Sequence, residues 1–245
     1  MIKRNRLRSA LGCCLAGHAA VVVMAPLAFH TAGGLNGAHR LGLAVLLLET
    51  LYVLTAYTSM GLVFPPGAPG ARAGLLLALP PLLYLPAAGV AGCDPLVLAS
   101  AQPAVAGTAV LGWGIARMAA RLSRRQDSAA AVAVLLAFLF GTSLLPASHI
   151  LPLLPSFMLP GELLLASNPF VAVSSAAGYD LVRAGPLYEG LGLSAYRFRY
   201  PSPFLATGLL VALGLAMGHA HTLVRTIASR HRLFRAAAFP QEVSR

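Results

Sequence analysis

The residues able to do chemistry in this chain are a few polar side chains set inside long apolar runs. Glu49 is the one acid within a stretch long enough to cross a membrane. An ionisable group in hydrocarbon costs about 2.5–3.5 kcal/mol on insertion scales, so its side chain should face protein or water. There it would carry a proton or touch a substrate. The structural alternative is a hydrogen-bonded acid near the outer third of its helix, meeting His18 or Arg40. Tyr52 and Ser59 share a helix face with Glu49 by three- and seven-residue spacing. That stripe reads either as a dimer interface or as interhelical bonding within one chain. Glu162 follows Pro160-Gly161 and is expected in the first turn of a short helix, where an acid suits the dipole. Asn168-Pro169 reads as a helix cap followed by a first-turn proline.

Other chemistries find less to work with. His18, His149, His219 and His221 raise haem ligation between helices as an alternative. His219 and His221 lie two apart, however, and so point to different faces. Cys13, Cys14 and Cys93 form no CxxC or Cys/His metal spacing, so neither zinc nor a disulfide framework is indicated. No HExxH, GxSxG or GxxxxGK[ST] motif is present, so neither an enzyme site nor a nucleotide-binding loop is expected.

The elements that must position these residues follow from composition. Of 245 residues, 58% are hydrophobic and only 10% are charged, against about 25% charged in soluble domains. An integral membrane protein is implied. The net charge of +11 does not indicate nucleic acid, because the basic residues cluster at the ends of apolar runs. A hydrocarbon core about 30 Å thick needs roughly 20 apolar residues of helix. Spans are expected at about 9–29, 41–64, 73–92, 96–118, 129–151 and 204–224, in a single transmembrane domain. The first, although preceded by Lys3, Arg4, Arg6 and Arg8, lacks a clear cleavage site and reads as retained.

Placing the amino terminus in the cytoplasm leaves only Arg40, Arg183, Arg197 and Arg199 outside, and the other 14 of the 18 basic residues inside. This asymmetry favours six spans in the inner (cell) membrane with both termini cytoplasmic. Basic residues of the connector and tail would also touch anionic lipid.

Between the fifth and sixth spans the chain is as oily as a span, yet Pro146, Pro152, Pro155, Pro160 and Pro169 break it. Proline removes a donor and clashes with the preceding turn, so one long helix cannot form. Two short helices entering and leaving on the same side are expected over about 152–177, then an outer loop over about 178–203. Irregular backbone at membrane depth is tolerated where it is buried in protein or lines a wet cavity. The fold class expected is therefore all-α, with six transmembrane helices and a re-entrant helical hairpin.

This layout, together with Leu159-Pro160-Gly161-Glu162 and Ser167-Asn168-Pro169-Phe170-Val171-Ala172, resembles the membrane subunit of an ABC-2 type transporter. The polar-Pro-aromatic stretch before the last span is similar to the (N/S)P(F/L) motif of that family. The resemblance implies a permease that works as a homo- or heterodimer and exports a lipid-like or amphiphilic substrate. It implies no directly bound cofactor, with ATP and Mg held by a separate ATPase subunit. Glu49, Tyr52, Ser59, Glu162, Asn168 and Pro169 become candidates for the transport path. The link between spans two and three is short and carries no acid. Contact with the ATPase would then use Pro66, Gly67 and Arg72, or Arg121, Arg124 and Arg125. A haem-binding or enzymatic membrane subunit and a non-transporting scaffold are the competing classes.

Overall fold

The computed structural model describes residues 35–63, 85–86, 89, 94–123, 126–142, 158–179 and 202–219. Every element among them is helical, with no strand. In chain order these are α1 (Leu35–Val63), α2 (Pro95–Ser100), α3 (Gln102–Leu122), α4 (Gln126–Gly141), α5 (Met158–Ser167) and α6 (Pro169–Ala176). The last is α7 (Pro203–His219). Among the described residues two stretches, Gly42–Leu62 and Pro95–Leu122, are long and apolar enough to cross a membrane. They fall on the second and fourth expected spans. The first span, nearly all of the third and the prolines at 146, 152 and 155 lie outside the described residues.

Helix starts follow a local rule. Asp94-Pro95, Asn168-Pro169 and Ser202-Pro203 each place a short polar side chain before a proline. Asp94 accepts from Leu96 N at 2.9 Å, Asn168 from Phe170 N at 3.0 Å, and Ser202 Oγ from Leu205 N at 3.2 Å. Proline has no N–H to satisfy and its fixed φ suits the first turn, while the preceding side chain takes up the orphan amides. Another polar-proline dipeptide, Gln102-Pro103, sits inside the fourth expected span, but there the cap is Ala101 and no side chain bonds to the first amides. There the helix is not continuous: it stops at Ser100, turns at Ala101 and restarts. Pro103 lacks the amide that an uninterrupted ladder would need.

α3 is the central element. Its buried residues, among them Val105, Thr108, Leu111, Gly112, Gly114, Ile115 and Ala119, point in nearly every direction around the axis. It packs most extensively on α1, and also on α4 and α6. Leu46 and Leu54 of α1, Leu98 of α2, Val171 and Val173 of α6 and Leu210 of α7 complete the core. Glycine permits the closest approaches. A Cβ on Gly112 would lie 2.8 Å from the Leu54 carbonyl oxygen, and one on Gly61 would lie 2.6 Å from Ala116 Cβ. On the other side of α3, a Cβ on Gly114 would run into the backbone of Gly214 in α7, and one on Gly214 into that of Val110. Small residues at such seams are how apolar helices pack when both sides of the seam are oily.

Two short helices do occupy the broken segment. α5 and α6 are separated by the single residue Asn168, which has extended backbone angles. This link is shorter than the two to five residues that usually join an αα-hairpin. α6 ends in a complete Schellman motif: Tyr179 N donates to Ser174 O at 2.8 Å and Gly178 N to Ser175 O at 3.0 Å. Gly178 takes φ +74°, the left-handed conformation that such an ending requires. α6 thus ends at Ala176, with Ala177 as its cap.

Candidate functional site

Glu49 sits near the middle of α1 rather than in its outer third, and is 1% exposed. Its Oε2 accepts a hydrogen bond from Gln102 Nε2 at 3.3 Å. The helix restart before Pro103 brings Gln102, the first residue of α3, to that place. The expected partners fall elsewhere: His18 and the Arg40 side chain lie outside the described residues. Gln102 was not among the candidates, although the pattern of a polar residue before proline inside an apolar run marks it as it marks Asn168.

The stripe of Glu49, Tyr52 and Ser59 is divided between environments. Glu49 is buried, Tyr52 half-buried and Ser59 exposed. Ten residues of α-helix leave about 80° between the first and last of them. That is enough to turn Glu49 toward α3 while Ser59 lines a groove between α1 and α4. The groove holds about 420 Å³, and Leu51, Thr55, Ser59, Val134, Phe138 and Phe170 are among its walls. Its hydroxyls are bonded within their own helices. Thr58 Oγ1 donates to Leu54 O at 2.6 Å, Ser59 Oγ to Thr55 O at 2.8 Å and Thr142 Oγ1 to Phe138 O at 2.8 Å. Thr55 Oγ1 lies 2.9 Å from the carbonyls of both Leu51 and Tyr52.

Asn168 is fully buried and joins two helix ends. Its Oδ1 accepts from Phe170 N and from Val171 N, the latter at 3.2 Å. Its Nδ2 reaches the carbonyls of Phe140 and Gly141, each at 3.2 Å. One amide thus serves the amino end of α6 and the carboxyl end of α4, both of which carry orphan backbone groups. Pro169, also buried, is the first residue of α6. The far end of α6 is tied as well, since Ser100 Oγ lies 2.8 Å from Ala176 O. The expected cap at Asn168-Pro169 is therefore present, with an added tie to α4 that sequence alone did not suggest.

Glu162 lies in α5, but not in its first turn. The helix begins at Met158, so the dipole reading, which decays within one turn, does not apply. Its side chain is outside the described residues. Of the candidates for an ATPase contact, Arg121 is exposed in the last turn of α3. Pro66, Gly67, Arg72, Arg124 and Arg125 lie outside the described residues. His219 is exposed at the end of α7, its ring centroid 5.9 Å from that of Trp113. Among the described residues no cluster of three His, Cys, Asp or Glu could hold a metal ion.

The Glu49–Gln102 pair ties α1 to α3 across the core, and its weight can be measured. Glu49→Gln keeps an acceptor for Gln102 and is expected to shift stability by less than about 1 kcal/mol. Glu49→Ala removes the acceptor and opens a small void, at an expected cost of about 1–3 kcal/mol. Thermal unfolding of the purified chain in detergent separates the two. Equal midpoints for Glu49→Ala and the parent would show that the pair carries no stability. No protein-family model, curated protein or solved structure matches this chain.

Proposed function

We propose that this chain is the membrane-spanning permease subunit of an ABC-2 type exporter. In this reading it crosses the inner membrane six times with both termini in the cytoplasm. It pairs with a second permease subunit and moves a lipid-like or amphiphilic substrate. The energy comes from ATP hydrolysed, with Mg, by a separate ATPase chain. The observation that carries the reading is the pair of short helices meeting at Asn168-Pro169, with α6 packed against α1 and α3. A broken apolar segment packed within a helical bundle is tolerated at membrane depth where it is buried in protein or lines a wet cavity, as an outer gate would be. The two apolar stretches of crossing length support the membrane setting. So do the outward-facing Leu48, Val134, Leu135, Phe138 and Phe204, which in water would be an unusual surface. Exposed Arg121, at the end of α3, suits contact with an acidic ATPase surface or with anionic lipid.

The reading is tested by affinity purification of the chain from its native membrane in mild detergent. A P-loop ATPase should accompany it in near-stoichiometric amount. Recovery of the intact chain with only unrelated enzymes would overturn the exporter reading. A tag on the carboxyl end found outside the cell would overturn the six-span topology.

A further inference from the structure

The groove between α1 and α4 has the dimensions and chemistry of a site for one lipid acyl chain. Its α1 wall runs from Leu51 to Leu62 and its α4 wall from Ala130 to Thr142. At 1.5 Å per residue, each wall is about 17 Å long. Half of a hydrocarbon core about 30 Å thick is about 15 Å. On α1 the wall covers the second half of the crossing stretch Gly42–Leu62, from its midpoint to its end. The groove thus extends over the depth of one leaflet, which is where a single acyl chain lies.

Its lining selects for hydrocarbon. Leucine, valine, alanine and phenylalanine predominate, and the hydroxyls of Thr55, Thr58, Ser59 and Thr142 are placed to donate to carbonyls of their own helices. No hydroxyl proton is left over for an acceptor on a polar guest, which would lose water without replacement at a cost of about 1–3 kcal/mol; the hydroxyl oxygens offer only their remaining lone pairs. An acyl chain loses nothing by that exchange. A volume of about 420 Å³ lies within the usual range of small-molecule sites, roughly 300–1,000 Å³. A partner helix is less well suited. The glycines that permit close helix approach, Gly61, Gly112, Gly114 and Gly214, already face neighbours within the chain. The groove instead presents Leu51, Val134 and Phe138, all exposed.

We propose that this groove retains one acyl chain of a membrane lipid as a distinct site, separate from the lipid that merely surrounds the protein. The proposal rests on the membrane setting of the reading above, but on neither the ATPase nor the transported substrate.

The test uses the full chain in phosphatidylcholine vesicles containing a small fraction of phospholipid with a photoreactive diazirine on its acyl chain. After illumination, labelled peptides are mapped by mass spectrometry. Peptides covering Leu51–Leu62 and Ala130–Thr142 should carry at least fivefold more label than those of the exposed α7 residues Phe204 and Leu215. Their labelling should saturate as the probe fraction rises, whereas labelling of α7 should rise in proportion. Ser59→Phe and Ala130→Phe fill the groove from opposite walls, and each should reduce its labelling to the α7 level. Equal, unsaturated labelling of all three regions would mean surrounding lipid only and would overturn the proposal. Crosslinks between copies of the chain in place of lipid would overturn it in favour of a protein interface. The saturation measurement uses the parent chain alone and so decides the matter even if a filled variant fails to fold. Extraction of the chain from vesicles by alkaline carbonate would instead remove the membrane setting itself. Saturable labelling with no ATPase partner would leave the site standing and the exporter reading fallen.

Discussion

Gly114→Ala is expected to destabilise the protein by about 2–3 kcal/mol, the largest effect of any one-carbon change considered. A methyl group there collides with the backbone of Gly214, so relief requires moving α7 as a body rather than rotating a side chain. Overpacked cores typically lose about 1–3 kcal/mol, and a backbone obstacle belongs at the upper end of that range. The effect opposes the ordinary gain on replacing a helical glycine by alanine, about 0.8–1.0 kcal/mol. Gly208, in the same α7, supplies the control, because a Cβ there meets nothing within 4 Å. Gly208→Ala should therefore be neutral or stabilising by up to about 1 kcal/mol. Thermal unfolding in detergent reads both. If Gly114→Ala melts with or above the parent, α3 and α7 do not approach as closely as their glycines indicate.

Asn168→Ala is expected to cost about 2–4 kcal/mol. The change removes the cap of α6, a loss of about 0.5–2 kcal/mol. It also takes the side-chain donor from the Phe140 and Gly141 carbonyls, and a buried group left unsatisfied costs about 1–3 kcal/mol. Asn168→Asp separates the two contributions. A carboxylate still accepts from Phe170 N and Val171 N, but places an acceptor against the two carbonyls of α4. It should fall clearly below the parent even though aspartate is as good a cap as asparagine. Unfolding midpoints decide the outcome, and hydrogen exchange at the carboxyl end of α4 locates it. An Asn168→Asp chain as stable as the parent would mean that the tie to α4 carries no energy. If the exporter reading holds, loosening this tie should also lower transport. The residue would then act by positioning α6 rather than by touching substrate.

Much of the helical framework was open to local reading. Asn168-Pro169 announces a helix start because proline cannot continue a helix and asparagine can cap one. Gly178 marks the end of α6 because a Schellman ending needs a positive φ. The second expected span, 41–64, agrees with the crossing stretch Gly42–Leu62 to within two residues at each end, although α1 itself begins six residues earlier, at Leu35. The fourth expected span, 96–118, falls within the crossing stretch Pro95–Leu122, which Pro103, lacking an amide for the ladder, divides into α2 and α3. Glu162 was placed one turn too early because α5 begins at Met158, before the proline rather than after it. Trp113 packs over α7, where a Cβ on Gly218 would strike its ring.

By itself, then, the sequence determined the helical class, the crossing-length apolar stretches and several helix starts and ends. Those are effects of composition and of bonds spanning about four residues, which neighbours in the chain settle between themselves. Tertiary structure alone decided that Glu49 meets Gln102, that Gly114 meets Gly214, that Asn168 reaches back to α4, and that a groove opens beside Ser59. The physical reason is that helices apolar on nearly every side carry almost no periodicity to mark an inward face. Which faces meet is settled by shape, by where glycine lets backbones touch, and by where a buried polar group can find its partner.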